Sequence, residues 1–144
     1  MHGFVLQDFV TIRGGSGLGT VTQSEHEWLS LDGYEDLIVW VDVRECTTAN
    51  ASWIQVNLQT APIKDEYLFV NMEASPLTVT ASALTAPSIR KIIMSQNPSV
   101  PLGRFVRWQL VTANGASVNA TWDMMFRIMG CANPMGGGGG MIRR

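Results

Sequence analysis

The chain has 144 residues, 46% of them hydrophobic and only 15% charged, with a formal net charge of −2. That length suits one ordinary domain. The ten Lys and Arg are scattered rather than clustered, which argues against a basic nucleic-acid face. No apolar run approaches the ~20 residues of a membrane-spanning helix. Met1-His2-Gly3-Phe4 lacks the basic and apolar regions of a secretion signal, so synthesis and folding are expected in the cytosol. Soluble domains are usually about one quarter charged. A surface this poor in charge must be built from Ser, Thr, Asn, Gln, Gly and some apolar side chains, a composition that suits protein–protein contact. Five Trp and eight Met point the same way.

Phe4 to Ile12 reads as a first strand with weak alternation. Gly14-Gly15-Ser16-Gly17-Leu18-Gly19 follows it. That run has no G-x-G-x-x-G register, no following Gly-Lys-Ser/Thr, and leucine at the fifth place of a G-x-S-x-G elbow. It is a turn or linker. Residues 1–20 are therefore expected as an N-terminal strand or arm plus linker, 21–130 as the main domain and 131–144 as a glycine-rich C-terminal tail. Ser24 and Glu27 have the spacing of a helix capping box, although Trp28, Leu29 and Leu31 build no helical stripe. Asp32-Gly33 marks a turn.

Period-two alternation then dominates. Leu37, Val39, Val41 and Val43 make an aliphatic face opposite Asp36, Ile38, Trp40, Asp42 and Arg44. Ile54, Val56 and Leu58 alternate with Gln55, Asn57 and Gln59. Asp65 to Met72 fits a strand or a short helix. Leu77 to Ser82 and Ile89 to Met94 read as two more strands. Near the end, Val106, Trp108 and Leu110 precede Asn114-Gly115, and Ala120, Trp122, Met124, Phe126 and Ile128 follow it. The spacing predicts a hairpin with a three-residue loop, which sets Trp108 opposite Trp122, Phe105 opposite Met125 and Arg107 opposite Asp123. Many short strands separated by turn signals predict an all-β fold: an antiparallel, jelly-roll-like β-sandwich with extended terminal arms.

No catalytic set emerges. The two histidines, His2 and His26, lie at a terminus and in a polar stretch. Asp32, Glu35 and Asp36 flank a turn without a D-x-D-x-D-G calcium loop. Cys46 and Cys131 belong to no C-x-x-C motif and are expected as reduced thiols, with a disulfide open to them if they lie at neighbouring strand ends. The expectation is a non-enzyme with no cofactor and no metal. What remains is an outward apolar set: Trp40 and Trp53 by parity, with Phe105 and Met125. Phe4 and Phe9 of the first segment join it as interface candidates. So do Met135, Met141, Ile142, Arg143 and Arg144 of the tail, where five glycines tether an apolar, dibasic end. The rival expectation is a carbohydrate-binding or adhesin-like module that stacks a glycan on Trp40, Trp53 or Phe105.

The segments 27–45, 58–66, 100–110 and 121–128 together resemble small virion-associated proteins of tailed bacteriophages. These look like jelly-roll decoration or cement proteins that clamp a capsid shell. The resemblance implies a structural role in a virion, assembled in the host cytoplasm. The implied partners are further copies of this chain and a major capsid or other virion protein, with no nucleic acid and no membrane. A tail or baseplate scaffold domain is the third option. Arg104-Phe105-Val106-Arg107 also resembles a strand of discoidin-like carbohydrate-binding sandwiches, which is what keeps the glycan alternative open.

Overall fold

A computed structural model describes residues 1–14, 19–49, 53–72, 77–80, 88–93, 102–112 and 121–134. It is nearly all β. Ten strands follow in chain order: β1 His2–Gly14, β2 Thr20–Thr22, β3 Leu29–Ser30, β4 Ile38–Ala49, β5 Trp53–Ala61, β6 Val70–Asn71, β7 Leu77–Thr80, β8 Ser88–Ile93, β9 Phe105–Thr112 and β10 Thr121–Ala132. Sheet A has the order β1-β10-β4-β8. Sheet B runs β2-β9-β5-β6, with β3 also on β9 and β7 also on β5. Every pairing is antiparallel.

The alternating faces meet between the sheets. Leu37, Val39, Val41, Val43, Met124, Phe126 and Ile128 come from the sheet A side, and Ile54, Val56, Leu58, Val106, Trp108 and Leu110 from sheet B. All are buried. Trp108 and Phe126 touch edge to face across the gap, with ring centroids 5.2 Å apart. This is the β-sandwich that the periodicity predicts.

The expected hairpin is not there. β9 lies in sheet B between β2 and β5, and β10 lies in sheet A between β1 and β4. Trp108 pairs with Leu58, and Trp122 with Thr48 and Gly14. Phe105 and Met125 therefore sit on different sheets, and Asp123 lies opposite Arg13 and Thr47 rather than Arg107. Alternation reports which side chains point to the core. It does not distinguish neighbours within one sheet from strands facing each other across it.

The segment expected as an N-terminal strand or arm is a strand paired along its length with β10. Register shifts between Val5 and Gln7 and between Gln7 and Val10 mark bulges. Leu6 is buried in the core, while the next residue, Gln7, accepts a 3.0 Å hydrogen bond from Trp108 Nε1. Phe4 lies against Gly130, where an added Cβ would meet its ring at 2.5 Å and the Ile38 carbonyl at 2.6 Å. Only glycine allows that approach.

The Ser24 capping box is corrected too. Glu25–Glu27 forms one 3-10 turn, and the Ser24 side chain makes no cap hydrogen bond. Asp32-Gly33 is a turn, with Gly33 at φ 86°. The segment from Asp65 holds both expected forms: a 3-10 turn Glu66–Leu68 capped by Asp65, then β6. Cys46 and Cys131 are free thiols. The central glycines of the Gly14–Gly19 run, the Asn114-Gly115 loop and residues 135–144 lie outside the described residues.

Candidate functional site

The outer face of sheet A centres on a buried carboxylate. Asp42 is 1% exposed although it points away from the core. Arg127 faces it from β10, with Nε 2.9 Å from Asp42 Oδ2. Arg44, two residues along β4, donates from Nε at 2.8 Å and from Nη2 at 3.0 Å. Phe9 covers the group from β1, its ring centroid 4.6 Å from the Arg127 guanidinium carbon and 5.8 Å from that of Arg44. Burial alone pushes the Asp42 carboxyl up. The two guanidiniums outweigh burial and hold it below its ordinary 3.8. Beside this cluster Val5, Met129 and Trp40 share one register row across three strands. Val5 is exposed, and the other two are half-buried.

Sheet B buries a cation instead. Arg107 is 4% exposed on the outer face of β9. Its Nε donates to Gln59 Oε1 at 2.9 Å. Its guanidinium carbon lies 4.0 Å from the Phe69 ring centroid and 5.1 Å from that of Trp28, rings that also meet each other edge to face. Glu66 is the acid nearest it, at 3.8 Å from Nη1, and is itself largely exposed. Nη1 makes no hydrogen bond among the described residues, and neither does the buried Asn57 Oδ1 on the neighbouring strand. Burial holds the Arg107 guanidinium below its ordinary value, with Glu66 opposing. Next to it Ile63, Tyr67, Leu68 and Val70 are exposed in one short segment, Tyr67 at 96%. These four side chains are candidates for a contact surface.

Between β1 and β2 a groove of about 280 Å³ opens at one edge of the sandwich. Gln7, Val10 and Ile12 line it from β1, Val21 and Thr22 from β2, and Trp108 from β9. Gln23 braces this edge. Its Nε2 donates to the Leu6 carbonyl at 2.9 Å and its Oε1 accepts from the Trp108 backbone N–H at 3.2 Å. Trp28 Nε1 donates to the Gln23 carbonyl. Ser24 and Glu27, both exposed, complete the lining.

The expected interface residues thus divide. Phe9, Trp40 and Met125 share the outer face of sheet A. Phe4 packs against the core. Phe105 is half-buried on sheet B under the Arg104 guanidinium, 5.6 Å from its ring centroid. Trp53 begins β5, and its side chain lies outside the described residues, as do Met135, Met141, Ile142, Arg143 and Arg144. Trp40 and Phe105 lie on opposite sides of the sandwich, so they form no common stacking platform. Sequence reasoning missed the burial of Asp42 and Arg107, because their covers come from Phe9, Trp28 and Phe69, far away in the chain. It also missed the strip 63–70, whose only signal was apolar residues beside turn residues. The Cys46 thiol is pushed up to about 11 by burial, with the Asp123 charge adding, so it is a poor nucleophile. Among the described residues, no three His, Cys, Asp or Glu side chains gather as a metal site.

No protein-family model and no curated protein sequence matches the chain. Among solved structures it is similar to that of the infectious bursal disease virus Gx strain, with a TM-score of 0.54 and 13% identity, covering 94% of this chain and 32% of that one. It is similar also to the VP2 subviral particle of infectious bursal disease virus, with a TM-score of 0.53 and 11% identity, covering 94% and 33%. The chain spans about one third of the length of each. At these identities the likeness is one of fold. A β-sandwich of this kind occurs within proteins of a virus particle.

Proposed function

We propose that the chain is a structural protein of a virus particle and acts by adhesion, without catalysis. The observation that carries the reading is the extent of the fold likeness, 94% of the chain, to proteins of infectious bursal disease virus particles. The exposed strip Ile63, Tyr67, Leu68 and Val70 supports it by offering a surface to neighbours. Apolar area buried at such a junction contributes roughly 25 cal/mol per Å² before the entropic cost of association. The finer form of the proposal is a subunit that decorates or cements a shell, in a particle of the tailed-phage type, through copies of itself and a major shell protein. The buried charges fit this role: Asp42 is committed to Arg44 and Arg127, and Arg107 to Gln59 and two rings.

The test is biochemical. Particles purified through two density gradients are expected to contain the chain in a fixed ratio to the main shell protein. Tyr67→Ser with Leu68→Ser is expected to lower that ratio without unfolding the domain. A chain absent from purified particles, or present in no constant ratio, would overturn the reading.

A further inference from the structure

We infer that the groove between β1 and β2 is a receptor for the segment Met141-Ile142-Arg143-Arg144 of a second copy of this chain. The inference rests on the assembly reading above and gives it a joint. Three observations lead to it.

The first is an open edge. β1 pairs only with β10 among the described residues, and Gln23 occupies the Leu6 carbonyl. From Val10 to Ile12 the other edge of β1 carries no backbone pairing among the described residues. Such an edge is a template for one more strand. The second is the shape of the site. At about 280 Å³ the groove lies at the small end of the range for ligand pockets. It suits one or two apolar side chains better than a bulky ligand. The third is charge. Glu27 lines the groove, and Glu25 and Asp8 are exposed on the same two segments. The opposing basic groups there are Arg13 and His26. The incoming segment carries two arginines and no acid.

Strand geometry fixes which side chain goes where. Successive residues of an added strand point to opposite faces. Ile142 enters between the sheets beside Val10, Ile12 and Val21, and Arg144 follows on the same side toward Glu27. Met141 and Arg143 then lie on the outer face, near Phe9. The occupant comes from another copy because of direction. A chain leaving Ala132, which lies opposite His2, would run along its own β1 in the parallel sense. A neighbour's segment is free to run antiparallel, the more stable pairing. The five glycines before Met141 let its backbone pass close to a packed surface.

The test uses the full chain. Ser24→Cys and Arg144→Cys variants, carrying different tags, are mixed under mild oxidation. Ser24 is exposed and makes no cap bond, so the change leaves the fold undisturbed. A cross-linked heterodimer on mixing is the expected result. No heterodimer, or links formed only between copies carrying the same tag, overturns the inference. In sedimentation experiments Ile142→Asp is expected to weaken self-association at least tenfold, and Met141→Ser several-fold less. Arg144→Glu should weaken it, and Glu27→Lys in the same chain should restore it. Equal effects of Met141 and Ile142, or no rescue by the charge swap, also count against it. If these variants fail to alter association while the chain still purifies with particles in a fixed ratio, the joint is wrong and the assembly reading stands.

Discussion

The outer faces of the two sheets solve the same problem in opposite ways. Sheet A buries an anion, Asp42, and saturates it with two guanidiniums under Phe9. Sheet B buries a cation, Arg107, against two rings and one amide, with the largely exposed Glu66 as a long ion-pair partner at 3.8 Å. Removing the carboxylate of sheet A takes the acceptor from two guanidiniums, whereas removing the cation of sheet B takes the donor from one amide. The charge of the first face is closed on itself, although Val5 and Phe9 stay exposed beside it. The second face borders the exposed residues Ile63, Tyr67, Leu68 and Val70.

The sharpest way to break this contrast is Asp42→Ala. It takes the hydrogen-bond acceptor from Arg44 and Arg127, which stay about one third exposed, and is expected to cost about 2 kcal/mol in urea unfolding. The same residue sets an acid limit. Its folded carboxyl titrates below the ordinary 3.8, so its contribution is complete above that value and is lost as the pH falls through the lower folded value. Unfolding followed from neutral pH downward should show a stability loss beginning near 3.8, and Asp42→Asn should flatten it. A variant as acid-sensitive as the parent would remove Asp42 from the account. Phe9→Ala should come next, at about 1 kcal/mol from two exposed-site cation–ring contacts. Arg107→Met should cost about 1 kcal/mol, since the methionine still packs on Phe69 while the buried Gln59 Oε1 loses its donor. A loss as large as that of Asp42→Ala would mean the two faces work alike. Smallest for stability, Tyr67→Ser should move the unfolding midpoint by no more than about 0.5 kcal/mol, as expected of an exposed site. Its effect is expected on particle occupancy.

The faces of the strands were legible because alternation is local. Leu37 to Val43 and Ile54 to Leu58 announce their buried side residue by residue, and the sandwich follows from them. Sheet membership was not legible, because β9 and β10 both turn the same parity inward whether they are neighbours or opposed. Trp108 and Phe126 meet across the core, and no local pattern distinguishes that from pairing side by side. The sites were less legible still. Asp42 looked like an exposed outer-face residue until a bulge in β1 carried Phe9 over it. Gln23, an unremarkable polar residue in the sequence, joins β1, β9 and the 3-10 turn through its amide.

β10 is the one strand that stands between β1 and β4 in sheet A. The first residues of the chain thus find their pairing partner more than a hundred positions later, His2 with Ala132. Sheet B closes over a similar distance, with Thr20 on Val111. Topologies dominated by distant pairings fold slowly, in milliseconds to seconds. During synthesis the edges of β1 and β4 must wait for Thr121–Ala132 to leave the ribosome, at roughly 5–20 residues per second. For several seconds the nascent chain presents two apolar strands without their common neighbour. Over that interval the unpaired strand edges are open to wrong partners.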